Sequence, residues 1–254
     1  MRRIKRTLVL LAAGLCLATC SGLNSQRGIE PAAQEPLRAM SSLLASAKTF
    51  EFDVDATVDE MSEGGYLVQG RRKVHVVMRR PDGLAVQSSG DDGRWSLRYS
   101  GRALTVSRGD IGDYATVEAP ATVDGMLDFL FEKYGVTIPL ADLLFADPYG
   151  ALTERVESGV YLGRHMANGV ECHHLLFTQG NVDWQIWIDA GAQPVPRKMV
   201  ITRKNEPGAP EYEAEISGWN LSPVVAADAF SFKAPAGAKA VDMAALWNEK
   251  GNRP

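Results

Sequence analysis

From Phe50 the chain alternates apolar and polar side chains residue by residue, with Phe50, Phe52, Val54, Ala56 and Val58 set against Glu51, Asp53, Asp55, Thr57 and Asp59. Successive side chains of a strand point to opposite faces, so this period of two specifies a strand with one dry and one wet face. Such a strand belongs in an antiparallel sheet that is covered on one side. More strands are predicted at about Leu67 to Met78, Leu84 to Ser88, Trp95 to Ser100 and Ala103 to Arg108. Each break carries turn residues, Arg80-Pro81-Asp82-Gly83, Gly90-Asp91-Asp92-Gly93 and Ser100-Gly101. Pro, Asp and Gly supply the dihedrals that tight connections need, so this half reads as a meander.

A helix is expected before the meander, with Pro36 in its first turn and Leu37, Met40, Leu44 and Ala47 on one face. A second is expected in the middle, where Val123, Met126, Leu127, Leu130, Phe131 and Tyr134 recur at helical spacing between Thr122 as N-cap and Gly135 as C-cap. Its apolar stripe has to be buried against the concave side of the sheet. A short apolar helix from Ile138 to Phe145 and another opening at Asp147-Pro148 follow. Strands resume at about Gly159 to His165, Val170 to Thr178, Trp184 to Ala190, Arg197 to Lys204 and Glu211 to Trp219, with a short piece at Phe230 to Lys233. Strands, helices, strands without βαβ alternation is an α+β order.

The N-terminus predicts export. Arg2, Arg3, Lys5 and Arg6 precede an apolar run from Leu8 to Ala18 that ends at Thr19-Cys20-Ser21-Gly22. This is a signal segment at 1–22, too short to span a bilayer, which needs about 20 apolar residues. Leu17-Ala18-Thr19-Cys20 resembles a bacterial lipobox, with Thr19 where a smaller residue is usual; the resemblance implies a lipid anchor on Cys20 and, with Ser21 beside it, outer-membrane delivery, ordinary signal-peptidase cleavage being the alternative. Residues 23–36 read as a tether, 37–235 as one domain and 236–254 as a tail. Removing residues 1–19 takes away four basic side chains and no acid, moving formal net charge from −4 to −8. A nucleic-acid partner is therefore not expected. Cys172 alone falls in the domain, which excludes an internal disulfide.

No nucleophile elbow, zinc helix, Walker loop or dinucleotide fingerprint is present, so neither an enzyme nor a cofactor is expected. Cys172-His173-His174 is the best metal candidate, but on a strand Cys172 and His174 face one way and His173 the other, too few convergent ligands for zinc. Packed Cys172 and hydrogen-bonded histidines are expected instead. Asp53, Asp55 and Asp59 read as a wet strand face and not a calcium loop. Arg71, Arg72, Lys73, Arg79 and Arg80 read as a solvated sheet edge.

The stretches Arg80-Pro81-Asp82, Tyr99-Ser100-Gly101-Arg102, Pro139-Leu140-Ala141-Asp142-Leu143-Leu144, Gly169-Val170-Glu171-Cys172-His173-His174-Leu175, Asp183-Trp184-Gln185-Ile186-Trp187-Ile188 and Pro194-Val195-Pro196-Arg197-Lys198 occur in that order. Over residues 37 to 235 the chain resembles the predicted periplasmic family known as domain of unknown function 2092, placed with the lipoprotein-localisation (LolA/LolB-like) carriers. The resemblance implies an unclosed β-barrel with helices on its concave face and supplies no catalytic residue. The leading expectation is a non-catalytic carrier of a lipid, acyl chain or other apolar ligand. Its contacts are expected among Phe52, Val54, Trp95, Leu97, Leu127, Phe131, Trp184 and Ile186. An envelope assembly platform without ligand is the alternative, and a hydrolase the third.

Overall fold

The computed structural model describes residues 28–248 except 92, 110 and 111. The signal segment, Cys20 and the first part of the tether lie outside the described residues. One sheet of thirteen strands organises the rest, in the order β1-β8-β9-β10-β11-β12-β2-β3-β4-β5-β6-β7-β13. The strands are β1 (Gly28–Ile29), β2 (Thr49–Met61), β3 (Leu67–Arg79), β4 (Gly83–Gly90), β5 (Gly93–Ser100), β6 (Ala103–Arg108) and β7 (Asp113–Glu118), then β8 (Ser158–Ala167), β9 (Val170–Thr178), β10 (Asp183–Asp189), β11 (Pro196–Thr202), β12 (Glu211–Asn220) and β13 (Lys239–Ala240). The sheet is α+β in context, strongly curved and not closed into a barrel. Neighbours from β2 to β12 run antiparallel; the two-residue pieces β1 and β13 add parallel pairings at the edges, against β8 and β7. Such short edges offer little template for a further chain.

The first meander forms because its turns do. Across β2, β3, β4 and β5 the register aligns Phe52, Val76, Val86 and Leu97 on one face and Asp53, His75, Gln87 and Ser96 on the other. The expected alternation of Phe50 to Asp59 holds through Ala56, with Phe50, Phe52, Val54 and Ala56 buried and Asp53 and Asp55 exposed. On β12 the alternation is broken on purpose by a bulge: the register shifts between Ser217 and Asn220 and Gly218 has φ 64°. A side chain on Gly218 would meet the Asp53 carboxylate at 2.5 Å, so only glycine fits. The extra residue turns Trp219 back to the core, where its ring stacks on Phe52 at 4.4 Å.

Among the described residues four helices accompany the sheet: α1 (Pro31–Ser46), α2 (Val123–Tyr134), α3 (Pro148–Thr153) and α4 (Met243–Asn248). Helix α1 begins six residues before the domain boundary expected at 37, because Pro31 and not Pro36 takes the first turn. Buried Ala33 and Pro36 carry the apolar face back to that start. Helix α2 matches its predicted ends: the Thr122 hydroxyl accepts from the Gly125 N–H at 3.1 Å, and Gly135 closes the helix at φ 65°. Where an apolar helix was expected from Ile138 to Phe145 there is only a 3-10 turn, Ala141–Leu143. The short run packs Leu140, Leu143 and Leu144 into the core from irregular backbone. The expected strand at Phe230 to Lys233 is also absent; this segment crosses the polar face of the sheet, with Phe230 buried against Gly83. Beyond it β13 and α4 pack on β7, so the folded unit extends past the expected boundary at 235.

The basic cluster was expected at a sheet edge, but β3 lies between β2 and β4. Arg79 pairs with Asp82 at 2.9 Å. Arg80 turns inward, donating from Nη1 to Leu144 O at 2.9 Å and from Nη2 to Leu44 O at 3.4 Å, and so ties the end of α1 to the chain after the 3-10 turn.

Candidate ligand-binding interior

The apolar face of the sheet and the buried faces of α1 and α2 form one continuous core. Seven of the eight residues anticipated as ligand contacts take part. Phe52 and Val54 on β2, Leu97 on β5, Trp184 and Ile186 on β10 and Leu127 on α2 are buried, and partly exposed Trp95 on β5 packs against them. Strands β10, β2 and β5 are separated in the sheet order by two strands each, so it is curvature that brings these side chains to a common interior.

Phe131 does not join them. It is 55 % exposed, while Val123, Met126, Leu127 and Leu130 of the same helix are buried. Residue 131 lies about 80° around the helix from residue 123, at the flank of an apolar stripe centred near Val123 and Leu130. The spacing places it near the core without placing it inside.

The interior is tightest around Phe50, Phe52, Met78, Leu84 and Tyr99, all at most 1 % exposed. It loosens one row further along the strands, where Val74, Ser88 and Trp95 are only partly buried. Helix α4 covers this mouth through buried Met243 and Leu246 and the indole of Trp247, which stacks on Trp95 at 5.7 Å with 2° between the planes. The Arg108 guanidinium also lies 5.0 Å from the Trp95 ring. Two polar atoms at this corner, Ser88 Oγ and Trp247 Nε1, are buried without a hydrogen-bond partner among the described residues. Ser88 is the cross-strand partner of Trp95, so both atoms adjoin the same ring. A buried donor or acceptor left unpaired costs about 1–3 kcal/mol, so a polar group or a water brought to this corner would find a donor in Trp247 and a hydroxyl in Ser88.

Sequence reasoning missed Ser88 and Trp247. The signal for α4 was present, since Met243, Leu246 and Trp247 recur at spacings of three and four, but six residues in a Gly- and Ala-rich tail read as unstructured. The signal for Ser88 lies only in the strand register.

The other expected centre is a histidine cluster on the polar face. Cys172 is fully buried, and His173 points the other way toward Tyr161, whose hydroxyl lies 3.1 Å from its Nδ1. His165, expected apart on another strand, comes alongside because β8 pairs with β9 in a register that places it opposite Cys172. The Nδ1 atoms of His165 and His174 lie 2.7 Å apart, and His174 Nε2 lies 2.9 Å from Gln185 Oε1. The glutamine oxygen accepts, so His174 carries its hydrogen on Nε2 and accepts on Nδ1 from His165. Burial pushes the Cys172 thiol up to about 11, which disfavours the thiolate a nucleophile or metal ligand requires. Among the described residues no group of three or more His, Cys, Asp or Glu is placed to hold a metal ion.

The fold is thus an open antiparallel sheet that wraps an apolar interior under short helices. The chain belongs to the family described as predicted periplasmic protein (DUF2092), whose model matches residues 33–244. No curated protein matches it in sequence. Among solved structures it is similar to the Mycobacterium tuberculosis lipoprotein LppX, at 16 % identity and TM-score 0.49, covering 77 % of this chain and 98 % of that one. It is also similar to LprF from Mycobacterium bovis, at 15 % identity and TM-score 0.45, covering 79 % and 97 %. A LolA superfamily protein from Nitrosomonas europaea matches at 10 % identity and TM-score 0.34, covering 79 % and 97 %.

Proposed function

We propose that this protein is a non-catalytic extracytoplasmic carrier that holds a lipid or acyl chain between the sheet and its helices, tethered to the outer membrane through a lipid on Cys20. The observation that supports it is the corner around Trp95. An amphipathic ligand laid along the apolar face would give its polar group to Ser88 Oγ and Trp247 Nε1, and its chain would replace side-chain contacts among Val54, Leu97, Leu127, Trp184 and Ile186. Entry requires only that six-residue α4 swing from β7. Burial of the chain would gain roughly 25 cal/mol per Å² before ordering costs. Mass spectrometry of organic extracts from envelope-purified protein tests the reading: a defined lipid in near-equimolar amount supports it, and protein free of lipid speaks for a platform.

The platform reading has its own observation. Exposed Met61, Tyr66, Leu67 and Val68 gather at the tip of the β2–β3 hairpin, and clustered exposed apolar side chains mark interaction surfaces. Replacing Tyr66 and Leu67 by serine would then abolish a protein complex recovered from the envelope while leaving lipid content unchanged.

A further inference from the structure

The polar face of the sheet carries a feature the carrier reading does not use. Arg98 on β5 alternates with buried Leu97 and Tyr99 and so points outward, beside Ala85 and Thr105 of the flanking strands. Over this face runs the segment that follows β12. Phe230 is clamped between Gly83, where a side chain would come within 2.8 Å of its ring, and the Arg79 guanidinium at 4.7 Å. Phe232 rests on Tyr114 at 5.1 Å. Beneath the segment lies a cavity of about 360 Å³, within the range of small-molecule sites.

The lining of this cavity is one-sided in charge. Arg98 is the only ionised side chain among the described residues that line it; the others contribute hydroxyls, from Ser100, Thr105, Thr116 and Ser231, and the rings of Tyr114, Phe230 and Phe232. Arg79, Arg164, Arg197 and Arg203 each pair with a carboxylate, but Arg98 has none among the described residues. It donates only from Nη1, to Leu97 O at 3.2 Å and Val86 O at 3.4 Å, leaving Nε and Nη2 without a protein acceptor among the described residues. Thr105 and Thr116 hydroxyls lie 2.8 Å apart and so hold each other in place beside it. Burial alone accounts for the lowered pKa of this guanidinium, as for a cation whose desolvation is uncompensated.

We propose that this cavity is a binding site for a small molecule carrying one carboxylate or phosphate group, received by the free Nε and Nη2 edge of Arg98 and flanked by the threonine hydroxyls. A guanidinium presents two parallel donors that match such an oxyanion, and the strength of the pair rises where water is partly excluded. The hydroxyls would satisfy the remaining oxygen lone pairs, and the phenyl rings would pack an apolar body of the ligand. This site lies on the opposite face from the apolar interior and does not depend on it.

The test is titration of the ¹⁵N-labelled protein with benzoate, inorganic phosphate, a short-chain phosphatidic acid and, as neutral control, benzyl alcohol, following the amides of Thr105, Thr116 and Ser231. Saturable shifts with the anions and none with benzyl alcohol are expected, with affinity reduced at least tenfold in Arg98→Gln and partly retained in Arg98→Lys. Tighter binding of phosphatidic acid than of phosphate and benzoate assigns a lipid headgroup; the reverse assigns a free anion. Thr116→Val, which keeps the charge, should weaken binding several-fold and stands in if Arg98→Gln does not fold. Absence of saturable shifts in the wild type up to on the order of 10 mM anion, or equal binding by wild type, Arg98→Gln and Thr116→Val, overturns the proposal.

Discussion

The indoles of Trp95 and Trp247 lie parallel at 5.7 Å, joining β5 to the last described helix. Stacked aromatic pairs contribute about 0.5–1.5 kcal/mol beyond area burial. This stack closes the looser end of the apolar interior, and Trp247→Ala should release α4 from that mouth. The expected outcome is a loss of about 1–3 kcal/mol of stability, below the range for fully buried aromatics because Trp247 is only partly buried, with faster exchange of a fluorescent fatty acid. Urea titration and stopped-flow release check the two parts separately.

Leu127 and Phe131 occupy one helix but differ in burial, 7 % against 55 % exposed. Leu127→Trp is expected to lower fatty-acid capacity by filling the interior, at an overpacking cost of about 1–3 kcal/mol. Phe131→Ala should change stability by no more than about 0.5 kcal/mol and leave uptake as in the wild type. Equal effects of both substitutions on uptake would contradict the placement of α2.

The pH response should centre on His174. Burial lowers its pKa below the ordinary 6.5; the hydrogen bond with Gln185 opposes this, and His165 and Lys198 reinforce it. The unfolded chain therefore takes up a proton near pH 6.5, and the folded chain only at lower pH. Between these values the unfolded state binds more protons, so stability falls as pH drops through 6.5 and levels off below the folded pKa. His173 is shifted in the same direction, by burial first and then by Arg164, with Glu35 and Glu171 opposing. His174→Gln should flatten part of this slope and leave the His173 part, measurable as the urea midpoint between about pH 7.5 and 5.

Cys20→Ala should abolish incorporation of labelled palmitate and move the protein from the membrane to the soluble envelope fraction, with export retained. Unchanged palmitate labelling would remove the anchor from the account.

What could be read in advance is what local chemistry determines. The Pro, Asp and Gly turns between β3 and β6, the Thr122 and Gly135 caps of α2 and the alternation of β2 are each decided within a few residues, and each was legible. The features that required long-range information were not. Whether β3 lies at an edge depends on β12 returning to pair with β2; the nearness of His165 to His174 and of Ser88 to Trp95 depends on register; and the bulge at Gly218, which gives Trp219 to the core, looks in the sequence like an ordinary glycine in a strand. Phe131 shows the limit of periodicity itself, since a stripe about 100° wide does not say which of its flanks is covered.

Uptake of an apolar chain into the interior beneath α2 and α4 is the proposed function. Its most direct measurement is titration of delipidated protein with cis-parinaric acid, read by energy transfer from the tryptophans. Saturable transfer at one molecule per chain is expected, competed by unlabelled fatty acid and reduced in Leu127→Trp. Transfer that rises linearly without saturation, or that is the same in Leu127→Trp, would contradict it.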